Sequence, residues 1–537
     1  MKKVIFCLCL IFNFFFAFSQ QPETSDSSYP INETGYKISA TEYSITESGF
    51  KFLGKTGKAA LFRNYPLDKK RIFKNEDELS QYLEKYKKEL INSRHFQSVD
   101  ISYESVIGSN KSASPSDNYD KNITDIIVKI ALHDSLHLLA IPYGKYNSNS
   151  GLSFKIKVKD TNFLGTMNPL NAEIALKHSS KGLEPVAGFS YDFPFTIGKI
   201  SAAWLNNYEI SYTIGNKTPE WNLKTGVKFL FPYENISFVC EAYQYFFKNY
   251  DYQKFNDDTY FKEEAIFSMP IILAKFENLS KLYYIPYISF DYNWDFDGIS
   301  KGNSDLSSPA VTIGQKIYSA KVNWNDNFRT GYDIVFKNSY TYNFQRNDFS
   351  PYISLEAKFY ANTQLFDTPV LNIYGFSLDF YAFHYFYNSG NTYSYGEKIG
   401  PRLRGILDEQ NDINYGNLTD PMAPKYSTST AVVVNFDFPF HLFTTDFKYQ
   451  LINFSCQLSP FFDAALIYNR ETSEMLSIKE GLYAAGLEVL VYPLKWSSYT
   501  IRASIGFDIK KILKSDEDKL SALFHNNEVF IGIGLFY

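Results

Sequence analysis

The sequence predicts an antiparallel β-barrel that crosses a membrane, preceded by a small α/β domain. Aromatic residues make up 18% of the chain, with 43 Tyr and 49 Phe, as is typical of barrels whose outer wall and interfaces carry aromatic rings. From about residue 138 onwards, apolar and polar residues alternate in segments of roughly ten residues separated by turn-rich stretches. Beyond the N-terminus no apolar run approaches the length of about 18 residues that a helical span requires.

The first residues are typical of a secretory signal peptide. Two lysines precede an almost wholly apolar stretch over residues 4–18, and Ala17 and Ser19 are small residues at the positions that a signal peptidase recognises. We predict a signal peptide over residues 1–19 and a flexible leader over residues 20–35. Export combined with a barrel fold predicts location in a bacterial-type outer membrane, with the N-terminal domain in the periplasm.

The sequence of residues 36–137 indicates a small α/β domain. Apolar residues recur at helical spacing in its middle, and Asn75 with Glu78 three residues later is a capping-box start. Short runs of β-branched and aromatic residues flank this helix and indicate strands. We expect the helix over residues 76–93 and the strands over residues 36–45, 99–105 and 123–133.

The sequence of residues 138–537 indicates the barrel. In residues 501–509 every second side chain is apolar and the others are Arg, Ser, Gly and Asp, so the two sets face opposite sides of a strand. This alternation fits a soluble sandwich as well as a membrane barrel, but the signal peptide, the aromatic content and the terminal segment F-I-G-I-G-L-F-Y favour the barrel. We count about 16 or 17 candidate strands over residues 150–537. Because single-chain bacterial barrels close with even numbers, we predict a 16-stranded antiparallel transmembrane β-barrel.

Charge and motifs exclude several classes of function. The formal net charge of −5 is nearly balanced for 537 residues, which argues against a nucleic-acid partner. We find no G-x-S-x-G, no H-E-x-x-H, no phosphate-binding glycine loop and no Cys/His cluster of zinc type. We therefore expect no enzymatic activity, no catalytic residues, no metal site and no cofactor. Cys240 and Cys456 are expected to be buried thiols, although a disulfide between them remains open.

Five segments carry more specific patterns. They are the helix-to-strand passage with Leu90, Phe96 and Val99, the hairpin Asp160-Thr-Asn-Phe-Leu-Gly-Thr166, the tip Gly400-Pro-Arg-Leu-Arg-Gly-Ile406 in a long interruption near residues 384–425, the strand Pro460-Phe-Phe-Asp-Ala-Ala465, and the terminal strand with Gly532, Leu535 and Tyr537.

Together these segments resemble those of the superfamily of outer-membrane β-barrel assembly factors and two-partner secretion transporters. Its members carry periplasmic POTRA domains before a 16-stranded barrel and are often called bacterial surface antigen proteins. The resemblance implies one POTRA-like domain over residues 36–137, marked by the helix-to-strand passage. It also implies an outer-membrane barrel over residues 138–537, with a loop near residues 384–425 that folds into the barrel.

In that family the in-folding loop has a hydrophobic-Arg-Gly-aromatic tip, and its Arg contacts the Asp of an F-x-D-x-G strand. A guanidinium is always charged and binds carboxylates in a bidentate manner, so one Arg can hold a loop in a polar lumen. Ile406 departs from the aromatic residue and Ala465 from the Gly. The corresponding loop-lock motif in this sequence is Leu403, Arg404, Gly405, Ile406 and Asp463.

The terminal strand resembles the pattern by which barrels are recognised and inserted at the outer membrane, through Gly532, Leu535 and Tyr537. We expect Tyr537, Leu535, Ile533 and Ile531 to share the lipid-facing side of this strand, because residues two apart face the same side.

The resemblance implies a role in inserting or translocating polypeptides at the outer membrane. The expected partners are the lipid bilayer, unfolded or client polypeptides at the edge of the POTRA-like domain, and possible accessory assembly subunits. A single POTRA-like domain is fewer than assembly factors typically carry, so secretion or lipid handling stays open. Two other classes also remain, a passive porin-like channel and a surface antigen or adhesin with a periplasmic docking domain.

Overall fold

The structure is a computed structural model. Residues 1–34 lie outside its described part, so the signal peptide and nearly all of the leader stay predictions. The described residues are 35–48, 54–106, 123–147, 151–179, 182–198, 200–214, 219–276, 280–364, 373–386, 396–405, 427–469 and 473–535.

The chain forms two compact units that interleave in sequence. Their ranges are Met1–Thr41, Asp68–Leu83 and Tyr103–Val128 for the first, and Glu42–Leu67, Glu84–Ser102 and Lys129–Tyr537 for the second.

Two helices and four strands precede the barrel. They are β1 (Gly35–Thr46), α1 (Lys58–Asn64), β2 (Ile72–Phe73), α2 (Glu76–Asn92), β3 (Phe96–Ser105) and β4 (Ile123–Asp134). The four strands form one sheet in the order β2-β1-β4-β3.

The helix α2 and the strands β1, β3 and β4 confirm the elements predicted for this region. The backbone N–H of Glu78 donates to Asn75 Oδ1 at 2.9 Å, which is the predicted cap. Leu79 and Leu90 are fully buried because the apolar stripe of α2 faces inward. The elements α1 and β2 were not predicted, since a seven-residue helix and a two-residue strand are too short to show a period.

The remaining long strands close into an antiparallel barrel, with β5 paired to β26. These strands are β5 (Leu138–Asn147), β6 (Gly151–Asp160), β7 (Leu170–Ser179), β8 (Gly182–Ile197), β9 (Ile200–Ser211), β10 (Glu220–Tyr233), β11 (Ile236–Lys248), β12 (Thr259–Ser268), β13 (Ile271–Lys275), β14 (Lys281–Trp294), β15 (Ala310–Asn325), β16 (Phe328–Asn343), β17 (Asp348–Gln364), β18 (Ile373–Tyr385), β21 (Thr430–Asp437), β22 (Phe440–Thr444), β23 (Phe454–Ile467), β24 (Leu482–Pro493), β25 (Ile501–Asp508) and β26 (Asn527–Ile533). The other elements are a separate two-stranded sheet of β19 (Glu397–Lys398) and β20 (Ser427–Thr428), and the helices α3 (Ile509–Lys514) and α4 (Lys519–His525).

The prediction of 16 strands is wrong. The described barrel contains 20 strand segments. The segments β12 and β13 share the neighbours β11 and β14, and β21 and β22 share β18 and β23, so the segments fill 18 positions. Each interruption falls at a proline, Pro270 or Pro439, which has no N–H for the ladder. The sequence count began at residue 150 and therefore omitted β5.

The two faces of the barrel wall differ in the sense expected of a membrane barrel. Leu487 and Ile505, which are register partners, are 47% and 37% exposed on the outer wall. Glu488, next to Leu487, and Arg502, three residues before Ile505, face the opposite side and are only 3% and 6% exposed, inside the barrel. A soluble sandwich would bury the apolar set instead, so this arrangement separates the two possibilities that alternation left open. No helix among the described residues is long and apolar enough to cross a membrane.

We call the end where β5 begins and β26 finishes the entry end, and the opposite end the far end. The strand β26 finishes at Ile533 because Gly534 has a left-handed conformation with φ of +97°. Ile531 is exposed on the outer wall as predicted, and Leu535 lines a cavity inside the barrel together with Gln457. The prediction that Leu535 shares the lipid-facing side is therefore wrong, since the turn at Gly534 ends the alternation. Tyr537 lies outside the described residues.

The two cysteines that follow the predicted signal peptide are both free thiols. Cys456 is buried as expected, but Cys240 is only half-buried.

Candidate functional site

The site is a short piece of chain, residues 396–405, that lies inside the barrel and that we call the lumen segment. It belongs to the long connection between β18 and β21, at the far end. Its apolar anchors are Ile399 and Leu403, which are 6% and 2% exposed. They pack against lumen-facing side chains of four strands, namely Tyr381, Phe383, Ala431, Val433, Ala465, Ile467, Leu482 and Ala484.

Arg404 of the lumen segment contacts Asp463 of β23 through three hydrogen bonds. Its backbone N–H donates to Asp463 Oδ2 at 2.8 Å, Nε donates to the same oxygen at 3.0 Å, and Nη2 donates to Oδ1 at 2.6 Å. Both side chains are almost wholly buried. This bidentate geometry fixes the guanidinium in direction as well as in position.

Further charges surround this pair. Arg404 Nη1 lies 2.5 Å from Asp437 Oδ1 and 3.8 Å from Glu488 Oε2, and Glu488 Oε1 also accepts a hydrogen bond from Arg502 Nη1 at 3.2 Å. The sequence did not indicate Asp437 or Glu488, because acidic residues at lumen positions of a barrel are common. We call Arg404, Arg502 and the three carboxylates the Arg404 cluster. Removing one member of such a buried set leaves an uncompensated charge, which typically costs roughly 3–5 kcal/mol.

Gly405 allows the tip of the lumen segment to touch the barrel wall. Its φ is +92°, and a Cβ at this position would lie 2.4 Å from the backbone carbon of Gly506. Gly506 of β25 faces Gly486 of β24 in register, so two adjacent lumen positions have no side chain. The pairing of two glycines across neighbouring strands is the signal that sequence reasoning missed.

The other end of the lumen segment is held by tyrosines. The hydroxyls of Tyr352 and Tyr381 donate to the two carboxylate oxygens of Glu397, at 2.7 Å and 2.5 Å. Arg402 lies over the ring of Tyr381 at 3.5 Å from its centroid. Asn435 of β21 donates to the backbone carbonyl of Arg402 at 2.8 Å. The lumen segment is thus anchored at both ends and in its middle. Ile406 lies outside the described residues.

The hairpin after β6 forms a second group of contacts, at the entry end. Asn162 donates through Nδ2 to Thr56 Oγ1 at 2.7 Å, and its Oδ1 accepts from the N–H of Met167 at 2.8 Å. Thr56 donates to both oxygens of Asp134, and burial raises the pKa of Asp134. The segment Asp160-Thr-Asn-Phe-Leu-Gly-Thr166 therefore connects the irregular chain directly before α1 to the barrel.

The helix-to-strand passage makes a third group of contacts. Leu90, Phe96 and Val99 are buried. Polar contacts to the barrel come from Asn92 and Arg94, which the sequence did not single out; Asn92 donates to Asn323 Oδ1 at 2.9 Å. The guanidinium of Arg94 lies 4.2 Å from the ring centroid of Trp324, and its Nε donates to the carbonyl oxygen of Ser497. Burial lowers the pKa of Arg94 to about 10, so the group stays charged at neutral pH.

The barrel closes through a short pairing. The strand β26 pairs with β5 only over Glu528–Ile531 and Gly144–Asn147, while its other neighbour, β25, pairs along its whole length. Gly532, one of the predicted terminal residues, is buried opposite Arg502. The closing pair β26–β5 therefore has fewer ladder hydrogen bonds than the pair β25–β26.

Comparisons with known proteins concern structure only, since no family model and no curated protein matches the chain. The fold is similar to CdiB from Acinetobacter baumannii, with 12% identity, 92% of this chain and 74% of that chain covered, and a TM-score of 0.42. It is also similar to BamA from Haemophilus ducreyi lacking POTRA domains 1–3, with 15% identity, 92% and 84% covered, and a TM-score of 0.36. For CdiB from Escherichia coli the identity is 9%, the coverage 96% and 92%, and the TM-score 0.35. With TM-scores below 0.5, these likenesses do not carry the functional argument, which rests on the contacts inside the barrel.

Proposed function

We propose that this chain is an outer-membrane barrel that inserts or translocates polypeptides, and that the lumen segment keeps the barrel closed between events. The observation that supports this proposal best is the contact of Arg404 with Asp463. A passive pore gains nothing from a buried cluster of five charges that fixes a loop across its lumen, whereas a gated barrel requires such a fixed closed state.

The closing pair supports the same function. A polypeptide that leaves sideways into the bilayer needs a place where the wall can part, and β5 and β26 share the shortest pairing among the full-length neighbours described above. Gly532 in β26 and Gly534 directly after it have no side chains to pack against a neighbouring strand.

The N-terminal sheet offers the incoming chain a place to bind. Among the described residues β3 has a neighbour on one side only, β4. An extended polypeptide can add to such an edge through main-chain hydrogen bonds, a common mode of peptide recognition. In this proposal the POTRA-like domain lies in the periplasm and presents β3 to client polypeptides.

Planar-bilayer conductance of the refolded protein tests the closed state. We expect a small, flickering conductance for the full chain and a larger, longer-lived one for Arg404→Ala, because the lumen segment loses its anchor. Arg346→Ala is a matched control that removes an arginine of the β16–β17 turn, outside the Arg404 cluster. A large, steady conductance that is the same in the full chain, Arg404→Ala and Arg346→Ala would contradict the proposal and indicate a passive channel.

A second measurement tests the polypeptide itself. Liposomes that contain the protein should accelerate the membrane insertion of an unfolded outer-membrane barrel, compared with empty liposomes of the same lipid. The acceleration should fall when residues 20–137 are deleted. Insertion at the rate of empty liposomes, from a protein whose refolding has been verified, would favour the surface antigen alternative.

A further inference from the structure

Two lysines face each other across neighbouring strands of the lumen wall. Lys316 of β15 and Lys337 of β16 are register partners. Side chains at directly opposed positions have Cβ atoms about 5 Å apart, and like charges there destabilise a sheet. Both residues lie on the lumen side, because Tyr287, which faces the lumen on β14, lies within 6.0 Å of both ammonium groups.

Five other lysines of the barrel have a carboxylate partner within ion-pair distance. These pairs are Lys155–Glu173, Lys228–Glu241, Lys248–Asp258, Lys262–Asp291 and Lys358–Glu356. Lys316 and Lys337 have no carboxylate within 4.0 Å among the described residues, and both ammonium groups lie within 6.0 Å of the centroid of the Tyr287 ring. Lys316 is exposed to the lumen while Lys337 is half-buried, so the first can be reached from solution.

One acidic group lies near the two lysines without pairing with either. The carboxylate of Glu397, in the lumen segment, is bound by the hydroxyl of Tyr352, and the ring of Tyr352 lies 5.4 Å from the ammonium of Lys337. The lumen segment thus places one negative charge beside two positive ones.

We propose that Lys316 and Lys337, with the hydroxyl-bearing side chains of Tyr287 and Tyr352 beside them, form a binding site for a compact oxyanion of the phosphate type. Glu397 acts as the internal competitor for this site while the lumen segment is in place. Lysine binds phosphate as a point charge, and two ammonium groups on opposed positions can approach the same anion. The anion removes the repulsion between the lysines, which is the physical reason for affinity.

Binding of inorganic pyrophosphate to the full refolded chain in zwitterionic nanodiscs, followed by calorimetry at low ionic strength, tests the site. We expect the double variant Lys316→Gln/Lys337→Gln to bind at least roughly tenfold more weakly than the wild type. Glu397→Gln should bind several-fold more tightly, because the competing charge is gone. Lys262→Gln is the matched control, since it removes a lumen lysine whose partner Asp291 lies 2.6 Å away. Its affinity should equal that of the wild type.

Several outcomes would overturn the proposal. Equal affinity of the wild type and the double variant would assign binding to other groups, and an absence of binding in all four proteins would show that no such site exists. A second arm with phosphatidylglycerol in the nanodiscs distinguishes the source of the anion. Competition by this lipid would show that the site binds a lipid headgroup, and unchanged binding would show that it binds a soluble oxyanion. None of these results depends on whether the protein translocates polypeptides.

Discussion

Ion pairs lie on two sides of the lumen wall, but they differ in burial and therefore in what they can stabilise. Around β23 to β25 the lumen segment covers the wall, and Asp463 is fully buried against Arg404. On β10 and β11, Lys228 and Glu241 pair at 2.8 Å with side chains that are 42% and 17% exposed. Water screens the second pair and leaves it worth little, whereas the first pair holds a piece of chain in one place. Burial, and not charge, therefore decides which ion pair can close the barrel.

Asp463→Ala should produce the largest effect and is the strongest test of this contrast. It leaves Arg404 buried without its bidentate partner, and we expect a loss of roughly 3–5 kcal/mol in the free energy of unfolding. Glu241→Ala, the matched change in the more exposed pair, should cost less than about 1 kcal/mol. Urea unfolding in lipid vesicles measures both. Equal losses would show that burial does not separate the two pairs.

Gly405→Ala should follow in size. The new Cβ would overlap the backbone of Gly506, and the residue must also keep a positive φ, so we expect about 2–4 kcal/mol. Gly198→Ala is the control, because Gly198 also has a positive φ of +61° but nothing within 4 Å of its Cβ position. The difference between the two variants isolates the contact of the tip with the wall. If the two lose the same stability, that contact contributes nothing.

Arg94→Ala extends the comparison to the entry end. This buried guanidinium loses its position over the Trp324 ring and its hydrogen bond to Ser497, and we expect a loss of about 2 kcal/mol. Arg71 forms an exposed ion pair with Glu78, so Arg71→Ala should change stability by only a few tenths of a kcal/mol. Hydrogen exchange of residues 84–102 gives a local measurement. Unchanged protection of these residues in Arg94→Ala would show that the contacts of Arg94 with Trp324 and Ser497 do not stabilise this region.

The smallest expected effect is a pH dependence that comes from His95. Burial lowers its pKa to about 4, with His137 and Lys159 adding to the shift. Because the folded pKa lies below the unfolded value of about 6.5, stability is complete above pH 6.5 and decreases as the pH falls toward 4. By pH 5.5 the decrease should be roughly 1 kcal/mol. Thermal unfolding between pH 7.5 and 5.5 should show this decrease in the wild type and much less of it in His95→Asn.

The sequence predicted the elements that depend on local pattern. The helix α2 was predicted from its apolar period and cap, and the barrel wall from alternation, because both signals act within a few residues along the chain. The strand number was wrong, because the strands were counted from residue 150 onwards and the count therefore omitted β5 (Leu138–Asn147). The lipid-facing position predicted for Leu535 was also wrong, because one glycine in a left-handed conformation cancels an alternation that is otherwise regular.

What the sequence by itself determined is the type of wall and one contact inside it. Alternation sets which side chains face outward, and the resemblance of the segments around Arg404 and Asp463 to those of a known family implied their pairing. Only the tertiary structure decided the rest of the Arg404 cluster, the contact of Gly405 with Gly506 beside Gly486, and the opposed lysines at 316 and 337. These features join residues that are far apart in sequence and close only through the register of the barrel, and register is set by the whole sheet rather than by any one strand.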